Sequence, residues 1–222
     1  MLKTRCWLGL FLTVALLLGG CAAGGMKDVE ESGFLVDYSQ LTPGSEEGQA
    51  ALRYIKPDVD FKKYDSLMFD RVSVWLSPEA ETRGVDPAVF KKMSDYFQNA
   101  LIDAVKDGYT VVDQPGPNVL RVRAAITDVK PSNPTANTLS TIVPVGMVVA
   151  AGTKAVSDDN MGTGEAEAEM EFLDSVSSER LAAAVDRRQG GKAAFRGEWV
   201  DTKDAFDYWA KRFRERLDEL RK

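Results

Sequence analysis

Apolar and polar positions alternate along most of the central chain, and the element changes where the period of alternation changes. Leu67 and Phe69, then Val72, Val74 and Leu76, recur at every second residue with a slip of phase at Asp70-Arg71, which predicts a strand over 66–76 carrying a bulge. Between Asp86 and Asp107 the period lengthens. Val89, Phe90, Met93, Phe97, Ala100, Leu101, Ala104 and Val105 fall at three-to-four spacing, with Asp86 as cap, Pro87 at the first helical position and Gly108 as the stop. Tyr109 to Asp113 reads as a short strand and Gln114 to Asn118 as a turn. Leu120, Val122, Ala124 and Ile126 then alternate with Arg121, Arg123, Ala125 and Thr127 in a further half-buried strand.

Farther on, Glu165, Glu167, Glu169 and Glu171 alternate strictly with Ala166, Ala168, Met170 and Phe172. The carboxylate side of that strand is expected to be a solvated sheet face, with Arg121 and Arg123 opposite it where the strands are neighbours. A turn over 174–179 leads into 181–188 and completes a hairpin. Asp201-Thr202 predicts a cap ahead of a helix whose Phe206, Trp209, Phe213, Leu217 and Leu220 form one stripe. The resulting order is strand, helix, strand, strand, insertion, strand, strand, helix. It predicts one α+β domain over 34–222, a mostly antiparallel sheet with two helices packed on one face, plus an apolar insertion. Phe97 and Phe213 are expected in the core. Trp75, Trp199, Trp209 and Tyr38 are expected in core or subsidiary packing, and residues 33–41 and 51–57 as extended segments along the domain.

The insertion, 138–156, is uncharged as far as Lys154 and lies in the longest uncharged run beyond the amino terminus. Pro144 is placed to begin a short helix, and Gly146 would permit close packing. Met147, Val148 and Val149 cannot all point inward on a helix, so the segment is expected in part as core cover and in part as contact surface. At Asp186-Arg187-Arg188 a charged strand end precedes Gln189, Gly190 and Gly191. Arginine presents a forked donor set to anions, whereas the bland reading is an internal salt-bridge network.

The amino terminus has its own pattern. Lys3 and Arg5 precede the apolar run Cys6 to Leu18, and Leu18-Gly19-Gly20-Cys21 resembles a bacterial lipobox. The run of about 13 residues is shorter than the roughly 20 that span a bilayer, so 1–20 reads as a cleaved signal peptide. Cys21 reads as the lipidated residue and 21–33 as lipid attachment and flexible stalk. In Gram-negative lipoproteins the resemblance implies that Ala22, in place of Asp, directs the chain to the outer membrane.

Composition narrows the chemistry. Loss of residues 1–20 removes two of the 28 Lys and Arg set against 34 Asp and Glu, leaving a formal charge of −8. An acidic chain without a basic run disfavours nucleic acid as partner. There are no histidines, and the two cysteines, Cys6 and Cys21, lie in the signal and at its end. That removes Ser-His and Cys-His catalysis and His-ligated metal sites. No cofactor and no metal are expected, and the protein is expected not to be an enzyme.

Several segments together resemble a family. Gly33 to Leu41, Leu52 to Ile55 and Val74-Trp75-Leu76-Ser77-Pro78 are similar to those of an uncharacterised bacterial lipoprotein family, domain of unknown function 3313. Asn137 to Thr141, Glu171 to Ser175, Ala182 to Arg188 and Asp204 to Ala210 fit it as well. The resemblance implies an envelope lipoprotein and supplies no catalytic residue. The expectation is an outer-membrane-anchored lipoprotein with a periplasmic, non-enzymatic interaction or assembly domain, its partner an envelope protein or a second copy. The alternatives are an Asp/Glu-dependent cell-wall glycan enzyme and a carrier of a small apolar ligand.

Overall fold

A computed structural model of the protein describes residues 29–46, 48–78, 80, 85–131, 164–189 and 199–222. The expected signal peptide, Cys21 and the candidate contact residues Pro144, Gly146, Met147, Val148 and Val149 lie outside them. Eight strands form one mixed sheet: β1 Thr42–Pro43, β2 Leu52–Ile55, β3 Ser66–Phe69, β4 Ser73–Val74, β5 Thr110–Val111, β6 Val119–Lys130, β7 Glu165–Asp174 and β8 Arg180–Gln189. Their order is β1-β2-β8-β7-β6-β3-β5, with β4 pairing β6 beyond the end of β3. β1–β2, β2–β8, β8–β7 and β7–β6 are antiparallel, while β3–β5, β3–β6 and β4–β6 are parallel.

The sheet is mostly antiparallel, as expected, but one side of it is parallel. The chain from β3 through the long helix returns to β5, and a helical crossover brings strands back in parallel. The bulge expected at Asp70-Arg71 is corrected. The strand breaks there into β3 and β4, both of which pair with β6. Register shifts lie instead in β6 at Thr127, between the pairs Ile126–Ala168 and Asp128–Glu167, and in β8 at Leu181, between Phe172–Ala182 and Leu173–Arg180.

Helix α1, Pro87–Val105, begins as its signals require: the Asp86 carboxylate accepts the Ala88 N–H at 2.8 Å, and proline stands at the first position. Helix α2, Val200–Leu220, begins one residue before its expected cap. Trp199 holds the cap position without a side-chain bond, and Asp201 and Thr202 lie buried inside the first turn. Asp201 instead accepts the Gly164 N–H at 2.9 Å, tying the helix start to the start of β7. Both helices cover the same sheet face. Phe97 and Leu101 of α1 and Phe206, Trp209, Phe213 and Leu217 of α2 meet Leu120, Val122, Ala124 and Ile126 of β6 and Ala166, Ala168 and Met170 of β7 in the main core. Phe97 stacks on Phe206 with centroids 4.7 Å apart, and Phe213 stacks on Phe172 at 5.4 Å.

Trp209 and Trp199 take the packing roles expected of them, but Trp75 does not. It is 50% exposed, with its ring edge-on to Phe34 and its indole N–H donating to the Ser32 carbonyl at 3.0 Å. The Phe213 side chain also meets Phe69 edge-on, so it joins α2 to two strands. Phe213→Ala is expected to cost about 3 to 5 kcal/mol of stability by cavity formation. Urea unfolding of the purified protein, with the slope compared between the two forms, measures it.

Candidate functional site

Successive strand residues point to opposite faces, so one strand serves two environments. On β7, Ala166, Ala168, Met170 and Phe172 turn to the helices, and Glu165, Glu167, Glu169 and Glu171 turn to the other face. Against expectation that face is not solvated. The four glutamates are 6%, 1%, 0% and 5% exposed. Residues 29–41 cross over them and bury Phe34 and Leu35 with Ala125, Ala183 and Val185 in a second small core. Alternation identified the polar side of the strand but could not show that another segment of the chain would cover it.

Each carboxylate has its own partners. Glu171 is bound by Arg123 at 2.5 Å and by Arg180 at 2.7 Å. Glu169 accepts the Tyr38 hydroxyl at 2.7 Å and the N–H groups of Ser32 at 3.0 Å and Leu35 at 3.3 Å. Glu167 accepts Arg187 at 2.7 Å and the Thr127 hydroxyl at 3.3 Å, and Arg187 also reaches Glu165 at 3.3 Å. Arg180 donates onward to the carbonyls of Asp37 and Leu35, holding the crossing segment by its backbone. Ser32 and Gly33, placed with the stalk by sequence, are therefore already fastened, Gly33 through its N–H to the Tyr38 hydroxyl at 2.9 Å. Of the two arginines expected opposite the glutamates, only Arg123 meets one. Arg121 forms a two-pronged pair with Asp70 at 2.8 and 2.6 Å.

The same alternation divides Asp186-Arg187-Arg188. Arg187 joins the glutamates, while Asp186 and Arg188 turn to α2, so the three do not form one anion grip. The Asp186 carboxylate accepts the Trp209 indole N–H at 2.7 Å and the Ala51 N–H at 3.1 Å, and burial pushes its pKa up. The Arg188 guanidinium lies 3.5 Å from the Tyr208 ring centre, a cation–π contact. Among the described residues no group of three His, Cys, Asp or Glu side chains is arranged to hold a metal ion, and no helix is long and apolar enough to cross a membrane.

The helix face holds a feature with no signal in the sequence. Between α2 and the β7–β8–β2 part of the sheet lies an apolar cavity of about 310 Å³. Its floor is Ala168, Ala182 and Ala184, and its roof is Trp209, Phe213 and Leu217. Three consecutive alanines on β8 read as an unremarkable strand. Only the position of α2 shows that two of them leave a space unfilled.

A match to a family model described as "Protein of unknown function (DUF3313)" spans residues 30–213. The chain belongs to this family. The "Uncharacterized lipoprotein YdcL" of Escherichia coli (strain K12) is 30% identical over 176 residues, covering 79% of this chain and 78% of that protein. The E. coli O157:H7 protein of the same name matches equally. Among solved structures, a PelC dodecamer from Paraburkholderia phytofirmans is similar at TM-score 0.42 and 9% identity, covering 73% of this chain and 94% of that one. Protein XCC0632 from Xanthomonas campestris is similar at TM-score 0.34 and 9% identity, covering 74% and 93%.

Glu167 provides a test of the buried face. Its pKa is raised by burial, a push that the Arg187 guanidinium and the Thr127 hydroxyl oppose without cancelling. A carboxylate that ionises less readily folded than unfolded favours the folded state most at low pH. Its contribution is complete below the ordinary value of 4.5 and is lost as pH rises through the raised value. The stability of the wild type relative to Glu167→Gln is therefore expected to grow as pH falls from 8 toward 4.5 and to level off below it. A difference independent of pH in denaturant titrations would mean that Arg187 compensates burial in full.

Proposed function

We propose that the protein is a lipoprotein of the outer membrane, lipidated at Cys21, with its α+β domain on the periplasmic side as a non-enzymatic interaction or assembly module. The lipobox-like Leu18-Gly19-Gly20-Cys21 and the lipoprotein named among its relatives support the anchor, and Ala22 after the cysteine supports the outer-membrane destination. The observation that carries the non-enzymatic part is the commitment of the glutamate row to internal partners. Acid–base chemistry on a glycan needs two carboxylates flanking an open bond. Here the most concentrated carboxylates are covered by residues 29–41 and bound by Arg123, Arg180, Arg187 and Tyr38. The partner in this reading is an envelope protein or a second copy of the chain, and residues 138–156 are a candidate contact.

A second reading, carriage of a small apolar ligand, is favoured by the cavity under α2. Its volume sits at the lower end of the roughly 300 to 1,000 Å³ that ligand pockets occupy.

The anchor is tested by fractionation of cells. Wild type is expected in the outer-membrane fraction through high-salt washing. Cys21→Ser is expected to leave that fraction, because two or more acyl chains, at roughly 0.8 kcal/mol per buried methylene, make the attachment permanent and the substitution removes them. Ala22→Asp is expected to shift the protein to the inner membrane. Retention of Cys21→Ser in the washed membranes would defeat the tether. In vivo crosslinking that captures neither a second copy nor a discrete envelope protein would defeat the assembly reading.

A further inference from the structure

We propose that the cavity between α2 and β8 binds a single-chain amphiphile with an anionic head, its tail among the alanines and its head on Arg53. The proposal rests on the ligand-carrier reading and names the class of ligand.

The cavity is held open by contacts on either side of it. Ala182 and Ala184 lie on the helix-facing side of β8, and Ala168 lies on the same side of β7. Larger side chains there would fill the space below the helix. The helix cannot settle onto the alanines, because Trp209 is bonded to Asp186 at 2.7 Å and Phe213 is stacked on Phe172 at 5.4 Å. A preformed apolar space needs no rearrangement to admit a chain, which lowers the cost of binding. In size it is roughly twice a 150 Å³ apolar cavity that takes benzene, so it suits a tail of about a dozen carbons.

The charges at its wall select the head. Arg53 pairs in register with Ala184, so the two side chains share one sheet face and the arginine stem runs beside the cavity floor. Among the described residues the Arg53 side chain is half-buried and has neither an ion pair nor a hydrogen bond. The other charged groups lining the cavity are engaged. Arg212 donates to the Gly48 carbonyl at 3.1 Å and to Glu215 at 2.5 Å, Arg216 pairs with Glu219 at 2.6 Å, and Asp186 holds Trp209 and the Ala51 N–H. The guanidinium of a half-buried arginine, without an anion at the wall of an apolar pocket in an acidic protein, is complementary to a carboxylate or phosphate carried on a hydrocarbon chain.

The test uses the full-length chain with Cys21→Ser, since every described strand, helix and core residue lies beyond that position. The probe is dansyl-undecanoic acid, read by energy transfer from tryptophan, with Trp209 in the cavity roof, and its methyl ester serves as the uncharged control. Saturable binding of the acid at micromolar concentration is expected. Arg53→Gln is expected to weaken the acid about tenfold and leave the ester unchanged, and Arg53→Lys is expected to restore most of the loss. Ala184→Leu, which places a larger side chain in the cavity, is expected to abolish binding of both probes while the melting temperature is unchanged or raised. Equal binding of the acid by wild type and Arg53→Gln would overturn the role of the head group. Undiminished binding in Ala184→Leu, or no saturable binding at all, would overturn the site and leave the anchor and the protein-partner reading to stand or fall on fractionation and crosslinking.

Discussion

A row of four glutamates on one buried strand governs the rest of this molecule. A buried carboxylate is tolerated only with close partners, and removing one partner from a buried pair costs about 3 to 5 kcal/mol. Because β7 alternates, its glutamates all fall on one face and cannot be dispersed. The neighbouring strands must supply cations there, as β6 does through Arg123 and β8 through Arg180 and Arg187. Glu169, the most buried of the four, meets no arginine among the described residues and depends on Tyr38 and two backbone N–H groups of the crossing segment. The segment that leads from the amino terminus is thus a structural requirement of the sheet.

Such a network is weak evidence of net stability, since desolvation offsets much of the attraction. Its stronger effect is on register. A slip of β7 by one residue against β6 or β8 would turn the glutamates into the apolar core beneath the helices and the alanines outward. The irregularity at Thr127 belongs to the same arrangement. The extra residue brings both Thr127 and Asp128 beside Glu167, giving that carboxylate a hydroxyl neighbour in addition to Arg187. The crossing segment also carries a cost: Val36, a β-branched residue 88% exposed, sits at φ 66°. L-residues with a branched side chain rarely adopt that conformation. It is compensated locally by the turn in which the Val36 N–H donates to the Gly33 carbonyl and by the Arg180 guanidinium gripping the carbonyls on either side of Val36.

Legibility in the sequence followed the range of the interaction. Helix α1 was readable to within two residues at either end because its cap, its proline and its stripe are local. The hairpin of β7 and β8 was readable because a turn at 174–179 joins two alternating runs. What pairs across the chain was not. Nothing near Asp70-Arg71 indicates that both halves of that strand would lie parallel to β6. Nor does anything near 165–171 indicate a cover more than 120 residues away in sequence, from Ser32 to Tyr38. The cluster Asp186-Arg187-Arg188 misled for a related reason. Adjacency in sequence is opposition in a strand, and the three side chains serve two faces.

The cavity follows from the same alternation on the helix face. With Glu169 and Glu171 facing one way, Ala168, Met170 and Phe172 face α2, and beside them β8 presents Ala182 and Ala184. A sealed void of 310 Å³ would cost about 7 kcal/mol at the roughly 24 cal/mol per Å³ found for residual core cavities, more than a domain of this size tolerates easily. That cost is avoided because Ala184 and Arg53 are only half-buried, so water reaches the space and replaces part of the lost contact. Water against alanine, methionine and tryptophan is poorly satisfied in turn. The packing of α2 against β8 therefore leaves an apolar surface that is neither filled by the chain nor well solvated, and both deficits are relieved by the same hydrocarbon guest.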